Sequence, residues 1–166
     1  MRAKRIIAII ALVVIAFLIA FPPLASGGVK VSSSSTASLA AEHVYVTIGE
    51  ISAHRADTLE PSGWFSISNM STNIDLALAN SSVTVALGSL PLGEYDTIKV
   101  TLTNATAIIN DTSKKVQLES TVFTIPASFL VRFGAETSVV LKITPELQTA
   151  PDTTTLKLSF TALPST

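Results

Sequence analysis

The chain has 166 residues, with 11 Lys and Arg against 12 Asp and Glu, a net charge of −1 and no cysteine. One hydrophobic core serves roughly 100–200 residues, so the length fits a single domain. The missing cysteine excludes a disulfide framework, a thiolate zinc site, an iron–sulfur cluster and a cysteine nucleophile, and the balanced charge offers no basic patch for nucleic acid.

The average composition hides two populations. Residues 1–5 carry Arg2, Lys4 and Arg5, and residues 6–25, from Ile6 to Ala25, contain no charge. A helix of that length would rise about 30 Å, the thickness of a bilayer core. The basic flank predicts a cytoplasmic N-terminus with everything after Ala25 outside. For residues 1–28 two readings stay open. One is a cleaved signal peptide, with Pro22-Pro23 ending the apolar run before the small residues Ala25-Ser26-Gly27-Gly28. The other is a retained single transmembrane anchor, which makes the membrane a partner. Both export the rest of the chain. Without Arg2, Lys4 and Arg5 that part holds 8 basic and 12 acidic residues, a net charge of −4.

Residues 29–41 are rich in Ser and Thr, and Ser32-Ser33-Ser34-Ser35-Thr36 cannot bury much apolar surface. They are expected to form a flexible tether. Val29, Val31, Ala37 and Leu39 nevertheless give this stretch an apolar rhythm, so residues 29–39, from Val29 to Leu39, also read as a donor strand for a neighbouring copy.

From residue 42 the pattern is β. Residues 43–51 are β-branched and aromatic, with Gly49 as a bulge. Residues 64–68 follow the turn Pro61-Ser62-Gly63. Residues 74–79 and 83–87 flank Asn80-Ser81-Ser82 as a predicted hairpin. Residues 95–109 form the longest strand, with Ile98, Val100, Leu102 and Ala105 inward and a slip near Asn104. A turn at 110–114 leads into 116–118, which is expected to pair back. Residues 128–133, 138–144 and 155–162 complete the set, the last with one wet face. Seven to nine short strands predict an all-β antiparallel sandwich over 42–163, immunoglobulin-like or prealbumin-like, with 164–166 as a tail.

Leu90, Pro91, Gly93, Tyr95, Ile98 and Lys99 lie in an ordered set with Gly63-Trp64, Ile74-Asp75-Leu76, Pro126-Ala127 and residues 134–141. This set resembles a family of exported prokaryotic domains, the domain of unknown function 4382. The resemblance covers residues 42–162. It implies an immunoglobulin-like or prealbumin-like sandwich and no known activity. The final strand, with Leu158-Ser159-Phe160, departs from the Asp-rich strand typical of the family, which weakens any metal at that end. On physical grounds Gly93 permits a tight turn and Tyr95 can staple a Greek-key corner through its hydroxyl.

Chemistry is sparse. His43 and His54 are the only histidines, neither in a zinc-binding spacing, and both are expected near solvated strand ends. No nucleophile elbow or phosphate loop occurs. Asp57, Glu60, Asp75, Glu94, Asp96 and Asp111 are scattered, so no cofactor is expected beyond a loop-bound calcium. Four N-x-[ST] sequons begin at Asn69, Asn80, Asn104 and Asn110, the first, second and last at turns where an archaeal-type glycosylation machinery could reach them. Trp64 reads as a core anchor; with Tyr45 it is also an aromatic that could face a sugar. The leading expectation is therefore a non-catalytic cell-surface or secreted domain that contacts surface proteins or itself. A strand-donating filament subunit and a carbohydrate-binding accessory module are the alternatives.

Overall fold

The computed structural model describes residues 25–35, 39–78, 82–150 and 153–165. Residues 1–24, with most of the uncharged run, and Asn80 lie outside the described residues, as do residues 36–38 of the expected tether and 79–81 of the expected hairpin turn. Eleven strands follow one another: β1 (Ser26–Ser35), β2 (His43–Arg55), β3 (Trp64–Ser68), β4 (Thr72–Asp75), β5 (Ser82–Pro91), β6 (Gly93–Ile109), β7 (Thr112–Lys115), β8 (Gln117–Leu118), β9 (Val122–Val131), β10 (Glu136–Thr149) and β11 (Thr154–Ser165). They form two sheets. Sheet I has the order β5-β1-β10-β11-β8, and sheet II is built on β3-β2-β6-β7, with β4 also on β2 and β9 also on β6.

Period-2 alternation explains sheet II. On β6, Ile98, Val100, Leu102, Ala105 and Ala107 are buried. The inward phase changes between Leu102 and Ala105 because the pairing shifts there: Thr47 faces Asn104 while Ile48 faces Leu102. A second irregularity lies between Ile48 and Ile51, around Gly49 and Glu50, and lets both isoleucines point inward. The β6–β7 hairpin turns at Asn110 and Asp111, both in the left-handed region, with φ of 50° and 57°. Asn and Asp tolerate that region better than other side chains, and it suits a two-residue turn. On β9, an edge strand, Pro126 is exposed where its missing N–H costs no ladder bond, and Ala127 is buried.

Sheet I departs from expectation. The segment read as a tether is mostly strand β1, and it lies inside the sheet. It runs parallel to β10 from Gly28 opposite Glu136 to Ser35 opposite Ile143, and antiparallel to β5 from Ser26 opposite Pro91 to Ser34 opposite Ser82. Val29 and Val31 point into the core at 1% and 0% exposure. Burying each contributes about 1.5–3 kcal/mol. The serines that argued for a spacer are tolerated because neighbouring carbonyls accept their hydroxyls. Ser35 Oγ donates to Leu76 O at 2.7 Å, and Ser33 Oγ reaches Val83 O at 3.5 Å. The domain thus starts at Ser26, not at residue 42.

Other expectations are corrected with it. Sheet I is mixed, since β1–β10 and β8–β11 are parallel. Parallel neighbours cannot be joined by a tight turn, and one hundred residues, 36–135, lie between these first two. The segments flanking Asn80-Ser81-Ser82 form no hairpin: β4 pairs with β2 in sheet II, and β5 pairs with β1 in sheet I. Pairing back onto β6 is done by Thr112–Lys115 and extends to Val116, whose N–H donates to Ala105 O at 3.1 Å, while Gln117–Leu118 crosses to sheet I. The sheets approach closely where β5 passes β3: a Cβ added at Gly88 would lie 2.0 Å from Ile67 O.

Candidate functional site

The register brings one set of strand ends together. Ser26 is opposite Pro91, Gly28 opposite Glu136, Gly93 opposite Val131, Arg55 opposite Tyr95, and His54 opposite Trp64. The start of β1, the β2–β3 loop, the β5–β6 corner and the β9–β10 turn therefore share one end of the sandwich, here the proximal end. The β6–β7 turn and the β10–β11 turn lie at the distal end.

The proximal end is built around Tyr95, buried to 1% exposure, whose hydroxyl donates to Pro91 O at 2.9 Å. The residue thus reaches back over the corner that it follows. Its ring stacks on Phe129 at 5.3 Å and meets Phe65 edge-on at 6.3 Å. Burial pushes the phenol above its ordinary value, with Arg55 opposing. Gly93 has a φ of 147°, which disfavours a side chain, and the Arg55 guanidinium lies where its Cβ would point.

Beside this corner the β2–β3 loop covers a polar cluster. His54 is 6% exposed rather than solvated, and its Nδ1 lies 3.0 Å from Asp96 Oδ1. Its hydrogen bond holds the Asp96 carboxyl below the usual carboxylate range. His54 Nε2 is buried and without a partner among the described residues. Trp64 does not enter the core. Alternation turns Phe65 and Ile67 inward, so Trp64 lies half-buried on the outer face, donating to Glu60 Oε2 at 3.0 Å. Lys99 Nζ sits 3.6 Å from the centre of its ring and His54 lies 5.1 Å from it. Arg55 pairs with Asp57 at 2.8 Å, and beside them Gly93 and Glu94 line a shallow depression of about 300 Å³.

His43, at the distal end, is also paired. Its Nδ1 lies 2.6 Å from Asp75 Oδ2, and Asp75 Oδ1 accepts from the backbone N–H groups of Val44 and Ala77. Its ring stacks on Tyr45 at 5.6 Å. Asp75, Asp96, Asp57 and Glu60 each have a different partner, and among the described residues no three His, Asp or Glu side chains converge. The sequon residues Asn69, Asn104 and Asn110 are all exposed, Asn104 from within β6. Sequence reasoning passed over two side chains of the proximal end: Leu59 in the β2–β3 loop, 88% exposed, and Phe133 in the β9–β10 turn, 78% exposed. Their signal was a large apolar residue next to turn residues, Pro61 and Gly134, where a polar one is usual.

No helix among the described residues is long and apolar enough to cross a membrane. No curated protein and no solved structure matches the chain. The family described as Domain of unknown function (DUF4382) matches residues 26–159. Its span starts on the first residue of β1, sixteen residues before the resemblance legible in the sequence. The chain belongs to the DUF4382 family.

Proposed function

We propose that this chain is a non-catalytic extracytoplasmic β-sandwich domain, immunoglobulin-like or prealbumin-like in type, with a structural or adhesive role at the cell surface. The observation that carries this reading is the junction at Ala25. Twenty uncharged residues lead directly into a central strand, and Ala25 O already accepts from Leu92 N. A membrane-directed segment joined without slack to a folded sandwich suits a domain presented at a surface. The exposed asparagines of three sequons and the net charge of −4 after residue 25 support the same setting. Protease added to intact cells should reach the domain, and mass spectrometry of the native protein should find glycan on Asn69, Asn80 or Asn110. Recovery of the unmodified chain in the cytoplasmic fraction would overturn the reading.

A filament subunit is the second reading, favoured by the seat of β1 between β5 and β10. In a strand-exchanged assembly the same main-chain bonds would form between copies, and the donor would be Ser26–Ser35 rather than residues 29–39. Light scattering that finds only monomer across the concentration range would remove it. The carbohydrate reading has less support, since Trp64 is already covered by Lys99 and Tyr45 by His43.

A further inference from the structure

Leu59, 88% exposed on the β2–β3 loop of sheet II, and Phe133, 78% exposed on the turn that links β9 of sheet II to β10 of sheet I, both lie at the proximal end, whereas Met70, also 78% exposed, sits in the β3–β4 turn beside the middle of β2. The uncharged segment 6–25 joins the domain at that same end. Gly27 packs so tightly against the β9–β10 turn that an added Cβ would lie 2.3 Å from Arg132 O. The segment therefore joins β1 beside the turn that carries Phe133.

We propose that Leu59 and Phe133 are a membrane-contact pair that seats the proximal end of the sandwich on the outer surface of the bilayer. This rests on the anchored, extracytoplasmic reading above. Ala25 directly precedes β1, so an anchor over residues 6–25 would hold the end bearing these loops beside the bilayer. There a Leu and a Phe presented on turns meet lipid at very high effective concentration, and even modest apolar burial suffices to fix orientation. Charge does not drive the contact. The proximal end carries Arg55, Lys99 and Arg132 against Asp57, Glu60, Glu94, Asp96 and Glu136, so the surface suits zwitterionic lipid, and anionic lipid should weaken the contact. The distal β6–β7 hairpin instead exposes Asp111, Lys114 and Lys115.

The chain has no cysteine, so single-cysteine labelling is clean. Full-length variants Ile15→Cys, Leu59→Cys, Phe133→Cys and Ser113→Cys, the last on distal strand β7, are labelled with an environment-sensitive fluorophore. They are then reconstituted into phosphatidylcholine vesicles containing nitroxide-bearing lipid. Labels at 15, 59 and 133 should be quenched, those at 59 and 133 by about threefold more than the label at 113, with little change in high salt. Replacing part of the lipid by phosphatidylglycerol should reduce the quenching at 59 and 133. A quenched label at 15 with 59 and 133 no more quenched than 113 would overturn the membrane contact and leave the anchor standing. An unquenched label at 15 would overturn both.

Discussion

The two sheets of this sandwich are assembled in different ways. Sheet II has local pairings at both sides, β2 with β3 and β6 folding back on β7, around the long-range β2–β6 ladder. Its long strands β2 and β6 are rich in β-branched and apolar residues at alternating positions. Sheet I is stitched from distant pieces: β1 sits between β5 and β10, and only β10–β11 is a local hairpin. The difference teaches where the vulnerability lies. Sheet II can begin from local pairings, whereas sheet I must recruit the first strand of the domain after the last strands exist. Closing such long loops is the slower route to a sheet.

Three perturbations sharpen this contrast, the largest first. Deleting residues 26–35 leaves β5 and β10 without a common neighbour and opens the core under Val29 and Val31. The expected outcome is loss of the cooperative thermal transition by circular dichroism. A synthetic peptide of residues 26–35 should restore the transition in a concentration-dependent manner, because it binds only the folded state. A deletion variant that melts like the parent would show that sheet I does not depend on β1.

Next is the seam between the sheets. Gly88→Val places a branched side chain where a Cβ alone would lie 2.0 Å from Ile67 O, and backbone must move. A cost of about 3 kcal/mol is expected from the urea midpoint. Gly28→Ala, with no atom closer than 3.9 Å to the new carbon, should stay within about 0.5 kcal/mol. Equal effects would contradict the close approach of β5 to β3.

The smallest effect concerns the corner that joins the sheets. Tyr95→Phe removes the bond to Pro91 O and should cost about 1 kcal/mol near neutral pH. Folding raises the Tyr95 pKa. The corresponding stability is therefore complete below about pH 10, the unfolded value, and is lost as pH climbs through the folded value. The gap between wild type and variant should narrow above pH 10. Asp96 follows the opposite sign. Its pKa is lowered by His54, so its contribution is present above about pH 4 and disappears as pH falls through the folded value, which Asp96→Asn would flatten.

How much of this was legible in the sequence varies by residue. The inward face of β6 and its slip near Asn104 were readable, because alternation is imposed by the pleat itself. So was the position of Tyr95 at a corner, since Pro91 and Gly93 restrict the backbone locally. The seat of β1 was not. Four consecutive serines describe a spacer in isolation, and only the carbonyls of Val83 and Leu76, contributed by remote segments, make Ser33 and Ser35 fit a strand. Trp64 lies on the outer face rather than in the core because its burial depends on which face of β3 meets the core, a matter of register. The pairing of His54 with Asp96, 42 positions away, was equally beyond local reading.

The sequence by itself determined the all-β class, the corner at Tyr95, the uncharged run before Ala25 and the exclusion of cysteine chemistry. These follow from residue type and period alone. The tertiary structure decided where the domain begins, which strands are neighbours, and that Leu59 and Phe133 share an end with the start of β1. Those outcomes depend on pairings between segments far apart in the chain, and main-chain hydrogen bonds carry no mark in the sequence of the partner they will choose.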